Sequence, residues 1–263
     1  NNAKTSNNHI CIYEESKNIE ERYKENIELA TQIKEAILGN RIICHYQPLL
    51  NIENSEIYSY ESLVRLIDNK GNYLAPYKFL DFSKKIKLYS SITKIVVTQA
   101  CKTFQNRDEN FSINLSVDDI KDLETVDFIL KTIKETNTSR RVTFEILESE
   151  GIENYQEVIS FINQIKSLGA RIAIDDFGTG YSNFEHLLRL DVDYIKIDGS
   201  LIKNIVTDDK HRLIVETIVS FARRIGIKTV AEFVSDEKIL QTIKEIGISC
   251  AQGYHIGKPE TLV

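Results

Sequence analysis

The chain has 263 residues, 42% hydrophobic and 27% charged, with a formal net charge of -6. That length and balance exclude a wholly disordered or collagenous chain and suit one closed α/β barrel or two small domains. The excess of acid, 39 Asp+Glu against 33 Lys+Arg, argues against a duplex nucleic-acid binder, whose affinity rests on neutralising phosphates.

No apolar run nears the roughly 20 residues that span a bilayer, and no signal-peptide pattern opens the chain, so no membrane segment is expected. Cys11, Cys44, Cys101 and Cys250 show no CxxC spacing. They read as reduced, mostly buried thiols of a cytoplasmic protein. A sequence without methionine, initiator included, reads as a fragment of something longer.

Residues 1–24 are polar and charged, with one short apolar stretch at His9–Tyr13, and are expected to form a connector. Residues 25–263 are expected to form one domain. Ile27, Ala30, Ile33 and Ile37 recur at helical spacing, and Gly39-Asn40 ends that helix. Short β-branched segments then alternate with longer amphipathic ones. Strands are predicted at 42–47, 56–66, 111–115, 142–147, 171–176, 194–198, 228–233 and 251–255. Helices are predicted at 76–87, 90–104, 117–136, 155–168, 182–190, 210–225 and 236–246, with Gly169, Gly226 and Gly247 as left-handed caps. The link between the first two strands is too short for a parallel crossover. The expected fold is therefore an α/β, modified TIM (β/α)8 barrel with its first strand antiparallel, ahead of an open doubly wound sheet.

Strands buried on both faces should be continuously apolar, yet here most carry one strongly polar residue. These are Glu61, Asn114, Glu145, the adjacent Asp175 and Asp176, Lys196, Glu232 and Gln252. A carboxylate in low dielectric costs several kcal/mol unless it is paired or coordinates a metal. Any one of them is open to a bland reading as a strand-end carboxylate in a salt bridge or as a helix N-cap, Asp176 and Asp198 most of all. Five carboxylates meeting at one barrel mouth exceed what the single Lys196 can neutralise. Oxygen donors without histidine or thiol point to Mg2+ or Mn2+, and adjacent aspartates suit two ions. The Gly178-Thr179-Gly180 run is a weak phosphate-loop signal and reads better as a bending lid.

At these residues the sequence resembles the EAL-domain family of bacterial cyclic di-GMP phosphodiesterases, from about residue 25 onward. The resemblance rests on Tyr46-Gln47-Pro48, Glu61-Ser62-Leu63, Asn114-Leu115-Ser116, Glu145-Ile146-Leu147-Glu148 and Asp175 to Gly180. Lys196-Ile197-Asp198, Ala231-Glu232 and Gln252-Gly253-Tyr254 complete it. It implies two Mg2+ or Mn2+ ions on Glu61, Asn114, Glu145, Asp175 and Asp176. By the same resemblance, Lys196 holds the attacking water, Glu232 is essential to the chemistry, and Gln252 belongs to the shell around the metals and water. Gln47 and Arg65 are implied to contact the nucleotide, and Glu148 to anchor the lid of Gly178, Thr179 and Gly180 near a homodimer interface. The polar start resembles the end of a diguanylate-cyclase-type (GGDEF) domain, which implies an upstream signalling domain.

Ser62 stands where the signature has alanine, and Phe233 and Ser235 replace a usual glycine and second glutamate. The implied activity is metal-dependent hydrolysis of cyclic di-GMP to linear 5'-pGpG. The rival is a catalytically silent domain that binds cyclic di-GMP or a protein. A Schiff-base role for Lys196 needs a neutral amine, which surrounding carboxylates oppose.

Overall fold

The computed structural model describes residues 6–148, 155–178 and 184–262. Two compact units are distinguished: the chain up to Ile43 together with Arg65–Ile92, and Cys44–Val64 together with Thr93 onward.

In the first unit, helix α1 spans Ser6–Leu38, so it starts well before the periodic apolar stretch that made 25–38 legible. Ile33 and Ala36 of this helix are fully buried, as are Leu66 and Phe79 in the same unit. Asn40, at φ 54, turns the chain out of the helix. A two-residue strand, β3 (Tyr73–Leu74), pairs with the end of β2 (Glu56–Ile67). The predicted helix at 76–87 is instead a 3-10 turn at Pro76–Lys78 followed by α2 (Leu80–Lys85). Proline opens the turn, and no side chain caps α2.

The second unit is built on an eight-stranded closed sheet. Its strands are β1 (Ile42–Asn51), β2, β4 (Asn110–Leu115), β5 (Val142–Leu147), β6 (Arg171–Phe177), β7 (Tyr194–Ile197), β8 (Lys228–Ala231) and β9 (Cys250–Gln252). Neighbours run β1-β9-β8-β7-β6-β5-β4-β2, and β1 pairing with β2 closes the ring. Pairs from β2 to β9 are parallel, whereas β1 lies antiparallel to β9. The expected barrel and its reversed first strand are therefore what the chain forms.

Helices α3 (Tyr89–Phe104), α4 (Val117–Lys121), α5 (Leu123–Glu135), α6 (Tyr155–Ser167), α7 (Phe184–Arg189), α8 (Gly199–Ile202), α9 (Asp209–Arg224) and α10 (Glu237–Ile246) connect the strands. The predicted 117–136 helix is divided at Asp122, whose side chain accepts from the Glu124 N–H and so caps α5. Gly247 ends α10 at φ 84, the left-handed geometry that a C-terminal glycine accepts without a Cβ penalty.

Alternation along the strands divides the barrel into two chemistries. Phe111, Ile113, Phe144, Ile146, Ile172, Ile174, Ile195 and Ile197 are essentially fully buried, as are apolar residues of the helices, and Phe144 meets Phe161 of α6 edge-on at 5.9 Å. Residues on the opposite face of the strands line a cavity, among them Ser59, Glu61, Ser112, Thr143, Glu145, Ala173, Tyr194, Lys196, Val230 and Gln252. That interior is small at mid-height and charged towards the carboxyl ends of the strands.

Ser62 is 2% exposed and fits sterically, but its hydroxyl has no hydrogen-bond partner. A buried hydroxyl without a partner costs about 1–3 kcal/mol. Ser62→Ala is expected to raise unfolding stability by about 1 kcal/mol in urea titrations; a loss of that size would contradict it.

Candidate functional site

Each polar residue of the site ends or interrupts a strand whose other residues anchor it. Glu61 of β2 is 7% exposed, Glu145 of β5 5%, Asp175 of β6 8%, Lys196 of β7 2% and Glu232, just past β8, 9%. Lys196 Nζ lies at the centre, 2.7 Å from Glu145 Oε2, 2.9 Å from Glu232 Oε1, 3.0 Å from Asp175 Oδ1 and 3.5 Å from Glu61 Oε2. One ammonium thus serves four carboxylates. Asn114 Nδ2 donates to Glu61 Oε1 at 2.7 Å, and Gln252 Nε2 donates to Glu61 Oε2 at 2.6 Å.

The local backbone explains how two adjacent aspartates share one end of the barrel. Alternation would send Asp175 and Asp176 to opposite faces of β6. The β6–β7 register is regular through Ile174↔Ile195 and resumes at Phe177↔Ile197, so two residues face the single Lys196. Such a bulge re-aims side chains, and Asp176 takes it up at φ 54, a conformation aspartate tolerates better than most residues. The result is two groups of ligand atoms within 4.8 Å of one another: Glu61, Glu145 and Asp175, and Asp175, Asp176 and Glu232. Asp175 belongs to both.

The electrostatics are those of an over-acidic pocket. Burial raises Glu145 well above the usual carboxylate range, and Glu61 and Asp175 add to this against the pull of Lys196. Glu232 is pushed up to about 8, chiefly by burial, with Asp175 and Glu61 raising it further. Asp176 rises to about 6 through burial, the Asp175 charge and the carboxyl of Asp198, which shares a hydrogen bond with it. Glu61 goes the other way: Lys196, Gln252 and Asn114 together outweigh its burial. For Lys196, burial is outweighed by the four carboxylates, and the ammonium is held charged well above its ordinary range. A neutral Schiff-base amine is incompatible with that setting.

These residues fit divalent cations. Two oxygen triads with a shared member, no described sulfur or imidazole in either, and more carboxylates than Lys196 can neutralise form a hard-ion donor set. The buried Gln252 Oε1 has no partner in the protein, as suits an oxygen that accepts from a ligand or water. Since Asp176 must lose its proton to bind an ion, and a protonated Glu232 leaves the pocket less negative, the apparent Mn2+ affinity is expected to rise with pH between about 6 and 8, by up to tenfold per pH unit for each proton displaced. Calorimetric titration at pH 6, 7 and 8 checks this; a flat profile would count against these ligands.

Other predicted residues fall as follows. Gln47 is buried beside Gln252, whose amide donates to it at 3.3 Å, while Gln47 Nε2 donates to the Gly257 carbonyl at 3.1 Å. Glu148 Oε2 accepts from the Gly178 N–H at 3.3 Å; Thr179 and Gly180 lie outside the described residues. Arg65 lies on β2 in the other compact unit. Of the two bland readings of Asp198, salt bridge or cap, the structure shows the cap: it accepts from the Ser200 N–H at 2.8 Å at the start of α8. Its hydrogen bond to Asp176 was beyond sequence reasoning, although the Lys-Ile-Asp run placed it two residues from Lys196.

The fold and site define an α/β barrel with a carboxylate–lysine centre suited to paired hard cations at the carboxyl ends of its strands. The sequence profile of the EAL domain matches residues 30–259, and the chain belongs to that family. It is 35% identical over 263 residues to the cyclic di-GMP phosphodiesterase PdeB of Shewanella oneidensis, covering 97% of this chain and 31% of that one. It is 30% identical over 251 residues to the cyclic di-GMP phosphodiesterase PdeF of Escherichia coli, covering 93% and 33%. The chain thus spans about a third of the length of these curated relatives. The structure of the PaMucR phosphodiesterase in complex with c-di-GMP superposes with a TM-score of 0.83 at 27% identity, over 89% of this chain and 97% of that one.

Proposed function

We propose that this chain is a metal-dependent phosphodiesterase that hydrolyses cyclic di-GMP to linear 5'-pGpG. The observation that carries the reading is the pair of carboxylate triads sharing Asp175, with Lys196 set among them. Names of the relatives, and the c-di-GMP complex of a similar structure, support the substrate.

Glu61, Asn114, Glu145, Asp175 and Asp176 would hold two Mg2+ or Mn2+ ions, and the carboxylate of Glu232, third member of the second triad, would add to the pull on the second ion. When bound, such ions lower the pKa of a coordinated water and neutralise the charge of the substrate phosphates. Lys196 donates a hydrogen bond to the attacking water, its ammonium kept charged by the surrounding carboxylates. Glu232, with its raised pKa, accepts the proton that the water loses. The water oxygen bonds to one phosphorus in line with the ribose 3'-oxygen. That bond breaks, the 3'-oxygen takes a proton from solvent and leaves as a hydroxyl, Glu232 returns its proton to solvent, and the ring opens with one 5'-phosphate. Gln47 is assigned to a guanine edge, Arg65 to a phosphate, Gln252 to the shell around the water, and Glu148 with Gly178, Thr179 and Gly180 to a lid.

The proposal extends to a homodimer, an upstream signalling domain in the same polypeptide and a cytoplasmic location. Three buried free thiols, Cys44, Cys101 and Cys250, suit a reducing compartment. Among the described residues no helix is long and apolar enough to cross a membrane. The test is incubation of the chain with cyclic di-GMP and Mg2+, with products separated by chromatography. Linear pGpG that disappears with a chelator is the expected result. Binding by calorimetry without any product would instead establish a silent, ligand-binding domain.

A further inference from the structure

Phe233 follows Glu232 and is held at φ 54, a left-handed conformation that a bulky side chain rarely adopts. It is also 54% exposed. The residue therefore carries backbone strain without gaining full burial, and strain of this kind gathers at functional sites.

Its surroundings show what the strain maintains. The Phe233 ring rests on Gly199, where a Cβ would lie 2.2 Å from a ring carbon, so glycine there makes room for the ring. Lys203 Nζ sits 4.2 Å from the ring centroid, at cation–π distance. Gly199 directly follows Asp198, whose carboxyl shares a hydrogen bond with Asp176.

Glu232 itself is thinly held by the sheet. The β7–β8 ladder ends at Ile197↔Ala231, one residue short of it. Beyond that, the Glu232 N–H donates to the Ile197 carbonyl at 3.3 Å and the Val234 N–H to the Gln252 carbonyl at 2.9 Å. β8 is not a neighbour of β6, because β7 lies between them. The phenyl ring on Gly199 is thus a direct tie from the turn bearing Glu232 to the turn bearing Asp198.

We propose that Phe233 is a positioning residue: its ring, seated on Gly199 and covered by Lys203, keeps Glu232 within reach of Asp175 and Asp176 and so sets the affinity of the second ion site. This rests on the two-ion reading above. The first triad, Glu61, Glu145 and Asp175, is carried by residues paired within strands and does not depend on the ring.

The test is calorimetric titration with Mn2+ alone, on wild type, Phe233→Tyr, Phe233→Gly, Gly199→Ala and the double variant Gly199→Ala/Phe233→Gly. Glycine takes positive φ without strain, so Phe233→Gly is expected to fold with little change in melting temperature. It should weaken the weaker of two Mn2+ sites by about tenfold, the scale seen when a group supporting a ligand is removed, and leave the tighter site unchanged. Phe233→Tyr should behave as wild type. Gly199→Ala should weaken the same site in the presence of the ring, and its added methyl should cost nothing further once the ring is gone.

Phe233→Gly binding both ions as tightly as wild type would overturn the proposal alone. So would an equal cost of the Gly199 methyl with and without the ring. Wild-type protein that takes up fewer than two Mn2+ would overturn this proposal and the two-ion reading together.

Discussion

Glu232→Gln is expected to lower the turnover of cyclic di-GMP by about 10²- to 10⁴-fold, the contribution typical of a positioned general base, with little change in KM. Glutamine keeps the shape and an oxygen that can accept from Lys196 Nζ, now 2.9 Å from Glu232 Oε1, but it cannot take a proton. Stability should move the other way. Glu232 is raised in the folded protein from 4.5 to about 8, so the fold disfavours its charged form. That penalty is absent below the unfolded-state value, grows as pH rises from about 4.5, and is complete above about 8. The neutral glutamine removes it, so without metal the variant should gain stability relative to wild type as pH rises through that window. Single-turnover kinetics with Mg2+ and urea unfolding at pH 5 and pH 8 read the two effects separately. A variant that turns over at the wild-type rate would remove Glu232 from the chemistry.

Lys196→Met is the second change with a large expected effect. It withdraws the ammonium that lies within 2.7–3.5 Å of four buried carboxylates and leaves their charge uncompensated. Breaking a buried ion pair from one side costs about 3–5 kcal/mol. The cost should depend on pH, since the carboxylates escape repulsion by binding protons. At pH 5, Glu232, raised to about 8, is protonated and the deficit is smaller. At pH 8 it should approach the full value in metal-free protein. Mn2+ should restore much of the lost stability, because cations replace the missing positive charge, whereas hydrolysis should stay abolished for want of the donor to water. Unfolding measured at both pH values, with and without Mn2+, checks this. An equal deficit at pH 5 and pH 8 would show that lost packing, not charge, is responsible.

The barrel was legible because its strands are short, β-branched and regularly separated. Val142–Leu147 was placed without error, and β6 and β7 within one residue at either end. Several of the missed elements share a physical cause: they are too short for a period to show. The two-residue β3 and the four-residue α8 carry none, and Asp122 divides α4 from α5 through a cap rather than a change of pattern. Most of the site was legible too, since charge inside a buried strand stands out wherever it occurs. What could not be read was direction. Alternation assigns Asp175 and Asp176 to opposite faces, and only the bulge against β7 brings both to Glu232. Likewise the Phe233–Gly199 contact joins turns 34 positions apart in the chain, beyond any local spacing rule.

The extra residue in β6 has a consequence for redesign. A sequence optimised only for a continuous ladder would delete Asp176, align the strand with its neighbour throughout and gain hydrogen bonding. The protein so obtained would be sturdier and inert, with one acid where two are wanted. Engineering for heat resistance in this scaffold should therefore spare that irregularity and look for its gains on the outer helices.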